Sequence, residues 1–427
     1  MNTLVGAYQK TRDSNPKWDE SAKRALTEFA RSRARCTASN EDWQLIISNG
    51  CAAAVNAGCK DPMVRYLYIR LCLGPTLDKQ GLASALCDNA VEFEKSSYPG
   101  IRKFYAWLRA GQQIIRAYGY GTNIPPELDR LGSWRQAESH LLRALRDPAM
   151  PPEEAHDACH EYLNEWLGDT NYYPVLYHKM ETQFAGDRTN APALLLLKGE
   201  TYAQMAWQAR GCGYADTVTK EGWKLFSQRL DAAEEALTNA WQLDTNNACI
   251  AAQMITVELG QGRGRDRMEL WFKRAMDLDP NNYDACDGKL RYLLPRWYGS
   301  VSDTLQFGHE CVQNKRWGGH VPLILVDAHN FLRETLPDEE KTNYWERPEV
   351  WADVKDAFDR FFELNPRETS WYHNYAKYAW QAEQWGFLNA LIPKLGPVNY
   401  AYFGGKEKFE KMVALAKEHA SQAKTKE

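Results

Sequence analysis

Ala233, Leu237 and Ala240 lead into Leu243-Asp244-Thr245-Asn246-Asn247, and 35 residues further on Met268, Phe272 and Ala275 lead into Leu278-Asp279-Pro280-Asn281-Asn282. In each copy the apolar residues fall three to four apart, the spacing that lines one face of an α-helix, and the acidic turn ends the run. A looser third copy, Val354, Phe358 and Phe361 before Leu364-Asn365-Pro366, is followed by Trp371, Tyr375 and Ala379 on the next helix. The pattern is a repeated unit of helix, short turn, helix.

Segments rich in Ala, Leu, Glu, Gln, Lys and Arg alternate along the chain with turn clusters such as Asp61-Pro62, Tyr98-Pro99-Gly100 and Met150-Pro151-Pro152. No stretch alternates apolar and polar residues for long, so the sequence predicts an all-α protein with helix over more than ~60% of its length. A period near ~34 residues is that of tetratricopeptide units, in which small residues let two helices approach and a large one fills the groove between them. Leu195, Gly199 and Tyr202, and Trp107, Gly111 and Ile114, fit the leading helix of such a unit. Ala137, Leu141 and Ala144 fit a following one. The expected architecture is a tetratricopeptide-like α-solenoid of antiparallel helix pairs. Tyr202 and Ala233 lie 31 residues apart and Ile114 and Ala137 lie 23 apart, where a regular unit has about nine, so inserted loops of about 22 and 14 residues are expected on one rim.

At 427 residues the chain exceeds what one core usually serves, which a stacked array does not need. The expected regions are 1–185, N-terminal helical repeats; 186–335, a tetratricopeptide-like core; and 336–427, C-terminal repeats and a terminal helix. Basic and acidic side chains, 52 and 56, nearly cancel to a net charge of -4 and are interspersed, which argues against a nucleic-acid footprint. Lys406 to Lys426 is the most basic stretch, but Glu407, Glu410 and Glu418 break it into a solvated helix pattern. No run of ~18 apolar residues provides a membrane span, and the first residues carry no export signal. Ten cysteines lack any Cys-x-x-Cys pair. The nearest two, Cys51 and Cys59, would lie ~12 Å apart on one helix, beyond the ~7 Å reach of a disulfide, so reduced thiols in a cytoplasm are expected.

The segments Ala206-Trp207-Gln208-Ala209-Arg210-Gly211, Trp223-Lys224-Leu225-Phe226, Trp271-Phe272-Lys273-Arg274-Ala275-Met276, Pro295-Arg296-Trp297-Tyr298-Gly299-Ser300 and Asp327-Ala328-His329 together resemble an uncharacterised bacterial family. That family is a domain of unknown function of tetratricopeptide-like character, and the resemblance covers about residues 190–335. It implies a fold and a bacterial source, and carries no activity or site residues.

Three groups invite chemistry. His156-Asp157-Ala158-Cys159-His160-Glu161 places two imidazoles at i and i+4 on one helix face, as zinc proteases do, but with Asp157 where a longer Glu would polarise the metal-bound water. His309, Glu310, Cys311, His320, Asp327 and His329 combine metal-ligating types at a spacing that fits no standard zinc site. Gly260-Gln261-Gly262-Arg263-Gly264 lacks the Gly-Lys-Ser/Thr end of a phosphate loop, so its glycines are expected to close the helix near Leu259, with phosphate binding by Arg263, Arg265 and Arg267 as the lesser reading. No nucleophile elbow occurs.

The sequence therefore favours a non-enzymatic scaffold, without catalytic residue, metal or cofactor, that binds a peptide or protein partner through a concave face and an inserted rim loop. Its candidate binding residues are Arg210, Tyr214 and Trp223 in the larger insertion and Arg296, Trp297 and Tyr298 in a non-helical turn, which Ser300-Val301-Ser302-Asp303 follows as a capping box. The alternatives are a metal-dependent hydrolase using the histidine clusters and a small-molecule or glycan binder using the aromatic turns.

Overall fold

The computed structural model describes residues 2–10, 15–33, 43–119, 124–184 and 190–424. Helix makes up 75% of it, and the described residues include no strand. Of the ten cysteines, Cys36 lies outside the described residues; the other nine are free thiols.

The chain divides into two compact units, Met1–Leu197 and Lys198–Glu427. The first holds α1 (Asn2–Gln9), α2 (Asp19–Arg33), α3 (Trp43–Asn56), α4 (Pro62–Tyr68), α5 (Lys79–Lys95), α6 (Gly100–Tyr118), α7 (Arg130–Leu145), α8 (Pro152–Asn164), α9 (Tyr172–Glu181) and the start of α10 (Pro192–Arg210). The second continues with α11 (Lys220–Leu243), α12 (Ala248–Gln261), α13 (Arg265–Leu278), α14 (Tyr283–Tyr292), α15 (Val301–Gln313) and α16 (Ile324–Glu334). It ends with α17 (Asp338–Thr342), α18 (Pro348–Leu364), α19 (Tyr372–Gln381), α20 (Trp385–Leu391) and α21 (Lys406–Lys424). The division falls inside α10, later than the boundary at 185 read from sequence. Residues on both sides of 335 share one core, with Leu325 and Val326 packed among Val354, Phe358 and Phe361.

Within each unit a helix packs on its successor and, in several places, on the helix after that: α2 on α3 and α4, α6 on α7 and α8, α12 on α13 and α14, α14 on α15 and α16. The repeated turns have repeated hydrogen bonds. After α11, the Asn246 N–H donates to Asp244 Oδ1 at 3.0 Å, and Asn247 caps α12 by accepting from the Cys249 N–H. After α13, the Asn281 N–H donates to Asp279 Oδ1 at 3.0 Å, and Asn282 caps α14 by accepting from the Ala285 N–H. Asn247 and Asn282 satisfy donors that a helix start leaves open and Asp244 and Asp279 close the turn before it, which is why the same letters recur at the same place. The small positions are used as the sequence reading requires. A Cβ on Gly199 would collide with Leu237, and Ala233, Leu237 and Ala240 are fully buried.

The residues inserted between Tyr202 and Ala233 do not form one long loop. They prolong α10 to Arg210 and start α11 at Lys220, leaving 211–219 between the helices, with a 3₁₀ turn at Ala215–Thr217. The glycine pair at 211 and 213 breaks the helix and Trp223, Phe226 and Leu230 resume it, as their spacing predicts, and Trp207 of α10 packs on Phe226 and Leu230 of α11 across the break. No helix is long and apolar enough to cross a membrane among the described residues.

Candidate functional site at the end of helix α10

Helix α10 stops at Arg210 because Gly211 takes a left-handed φ of 73°, a conformation glycine adopts without penalty, while its N–H donates to the Trp207 carbonyl at 2.9 Å. Thr219 then caps α11, accepting from the Gly222 N–H at 3.0 Å. The chain reversal returns Trp223 and Phe226 alongside Trp207.

Arg210 sits among three indoles. Its guanidinium carbon lies 5.1 Å from the Trp297 ring centre, 5.6 Å from Trp223 and 6.0 Å from Trp207, all within cation–π range. The rings brace one another edge-on. Trp207 meets Trp297 at 5.5 Å and 86° and Phe226 at 5.0 Å and 72°, while Trp223 meets Phe226 at 5.7 Å and 73°. Arg210 Nη1 donates to the carbonyls of Gly211 and Gly213 at 3.1 and 3.0 Å. Its Nε, like Trp207 Nε1, is buried without a hydrogen-bond acceptor among the described residues. No carboxylate among those residues pairs with this guanidinium, whereas Arg263, Arg265, Arg267 and Arg291 of the same unit are each paired. The arrangement is a cation fixed in place by aromatic faces and backbone carbonyls, with its charge uncompensated.

Of the six residues singled out from sequence, the fold thus gathers Arg210, Trp223 and Trp297. Tyr214 is 80% exposed on the connection. Tyr298 is tied elsewhere: its hydroxyl donates to the Leu259 carbonyl at 3.2 Å at the end of α12, and its ring lies 4.6 Å from Tyr292. Arg296 is exposed in the same turn. Ser300 caps α15, accepting from the Asp303 N–H at 3.1 Å, as the capping box requires. Sequence reasoning missed Trp207 as a member of the cage. Its signal was available, since residues three apart on one helix share a face.

The glycine-rich turn closes α12 at Gln261, and Gly262 is left-handed. The phosphate reading of its arginines is corrected by their partners. Arg263 pairs with Glu234 at 2.6 Å, Arg265 with Asp303 at 2.9 Å, and Arg267 with both Glu234 and the fully buried Glu258 at 2.9 and 2.8 Å. Burial pushes the Glu258 carboxyl above its ordinary range against the pull of Arg267. For Glu234 the order reverses: burial raises its pKa, but hydrogen bonds from Gln261 and Arg267 outweigh burial and hold it low. Arg263 and Arg267 tie α11 and α12 to the turn and to α13, and Arg265 ties α13 to α15.

The second histidine cluster is drawn to several partners. His309 Nε2 and His329 Nε2 lie 2.9 and 3.0 Å from the two oxygens of Asp353, and His329 Nδ1 lies 2.9 Å from the Tyr344 hydroxyl. Burial raises the Asp353 carboxyl, but the two imidazole hydrogen bonds prevail and hold it below the usual aspartate range. His320 instead faces Glu368 at 3.0 Å, Asp327 accepts from the Tyr283 hydroxyl at 2.5 Å, and Cys311 is buried beside Cys286. In the first cluster the His156 and His160 rings stack on α8, 5.7 Å apart and 20° from parallel, with His156 Nδ1 3.1 Å from Asp157.

Comparison with known proteins finds no family model that matches this chain and no characterised relative.

Proposed function

We propose that this chain is a tetratricopeptide-like helical-repeat scaffold that binds a peptide or protein partner through the concave face of its helix pairs and through the rim around Arg210. The solenoid reading is supported by the 35-residue repeat of the Asp-Asn turn, by helices packing on both their first and second successors, and by the close approach of α10 and α11 at Gly199. The resemblance of about residues 190–335 to an uncharacterised bacterial family rests on their Trp, Gly and His motifs, and a bacterial source is proposed with it.

The binding reading is carried by one observation: Arg210, held by three tryptophans, has no carboxylate partner among the described residues. Its side-chain entropy is already lost in the free protein, so an acidic group arriving there meets a preorganised cation, and Arg, Trp and Tyr are the side chains that most often dominate interfaces. Exposed Tyr214 and half-exposed Trp223 supply apolar contact beside that charge. Affinity capture from the native host, read by mass spectrometry, tests this by comparing the wild-type chain with the Arg210→Ala/Tyr214→Ala double variant. The double variant is expected to keep its melting temperature within a few degrees and to lose the partner. An unchanged set of captured proteins rejects the assignment.

A further inference from the structure

The first unit contains a cavity of about 430 Å³, within the ~300–1,000 Å³ range of small-molecule sites. Its floor is apolar and drawn from four helices: Leu4 of α1, Phe29 of α2, Met63 of α4 and Phe93 of α5. Leu4, Met63 and Phe93 are buried.

The rest of the lining is charged with both signs. Arg70, Arg102 and Arg109 contribute guanidiniums, and Glu153, Glu154 and Asp157 of α8 contribute carboxylates. Some of these charges are already matched: Arg102 pairs with Glu154, and Arg109 with Glu161. Others are left over. Arg70 Nη1 donates to the Tyr66 hydroxyl at 3.1 Å and meets no carboxylate among the described residues. Arg109 Nε is buried and has no acceptor among those residues, an arrangement proteins avoid unless a further group supplies one. Glu153 makes no ion pair among the described residues.

We infer that this cavity binds a small zwitterion with an apolar body, of the class of a free hydrophobic dipeptide, with Arg70 and Arg109 receiving its carboxylate and Glu153 its ammonium. An apolar floor alone would accept a fatty acid, but Glu153 and Asp157 at the lining repel a ligand that carries only negative charge. A purely cationic ligand meets Arg70. The zwitterion is the class that answers both unmatched charges and fills the floor. This site lies in the first unit and is independent of the rim around Arg210.

Isothermal titration calorimetry of the full chain with phenylalanyl-leucine provides the test, with the N-acetylated and C-amidated forms and decanoate as companions. Saturable one-to-one binding is expected, weakened by about tenfold or more when either terminus is capped, because each cap removes a charge-assisted hydrogen bond. Arg70→Glu and Glu153→Lys, both at exposed positions, are expected to weaken it to a similar degree while circular dichroism stays unchanged. No saturation at millimolar dipeptide overturns the inference. So does tighter binding of decanoate, or binding indifferent to both caps and both substitutions.

Discussion

The coupling between Arg210 and Trp297 should be measurable. The guanidinium carbon lies 5.1 Å from the Trp297 ring centre in a half-buried setting, between the exposed case, about 0.5–1 kcal/mol, and the desolvated case of about 2 kcal/mol. A coupling of about 1 kcal/mol is therefore expected. Neither single substitution isolates it. Trp297→Ala also removes the edge contact with Trp207 at 5.5 Å and leaves a void, so it is expected to cost about 3 kcal/mol in all. Arg210→Ala also removes the donors to Gly211 and Gly213 that hold the connection. The double-mutant cycle subtracts these separate losses. Urea denaturation of the wild type, both single variants and the double variant, followed by circular dichroism at 222 nm, gives the four stabilities. A coupling within about 0.3 kcal/mol of zero would refute the cage as a source of rigidity for Arg210, and with it the claim of a preorganised cation.

Other consequences are separately checkable. Leu237→Ala, which empties the fully buried groove beside Gly199, is expected to destabilise the protein by about 3 kcal/mol in the same assay, and a loss under about 1 kcal/mol would contradict the packing described. Asp353 is held below the usual aspartate range, so its pairing contributes stability above the unfolded-state pKa and loses that contribution as pH falls through the lowered native value. Asp353→Asn should therefore destabilise clearly at pH 7 and progressively less toward pH 3, and a pH-independent loss would count against the network. Burial pushes the Cys51 thiol up to about 12 and the Cys87 thiol up to about 11, whereas Cys212 is exposed in the α10–α11 connection. Iodoacetamide at pH 8 should modify Cys212 well before either, as read by peptide mass spectrometry, and equal rates would show those helices opening readily.

Much of the fold was legible because the decisive signals are local. Apolar spacing, Asn at the helix start and Gly or Asp at its end act within one turn, so α11 to α14 follow from their own letters. At two places a local turn preference is overridden by the surrounding helix. Asn49-Gly50 and Asp287-Gly288, pairs that favour hairpin turns, lie inside α3 and α14, where the neighbouring helices bury Cys51 and Cys286. In the insertion after Tyr202 the break at Gly211 and the helix resuming through Trp223 and Phe226 were legible, but the packing of Trp207 on Phe226 across the turn was not.

The candidate site was legible in part for the same reason. Arg210 and Trp223 stand close in sequence, and Trp297 was singled out by its non-helical turn, but their convergence depends on how α10, α11 and the turn after α14 pack. Long-range partners left no local trace. Nothing near His309 or His329 announces Asp353, and the cavity of the first unit is assembled from residues as distant as Leu4 and Asp157.

Whether a partner docks at Arg210 can be read by site-specific photo-crosslinking. A benzophenone amino acid placed at Tyr214, 80% exposed beside the cage, should form a discrete protein adduct on irradiation in cells of the native host. This adduct should disappear when Arg210→Ala is introduced and persist when an exposed arginine far along the same unit, such as Arg316, is replaced by alanine. Absence of any adduct, or an adduct of equal yield with Arg210→Ala, would contradict docking there.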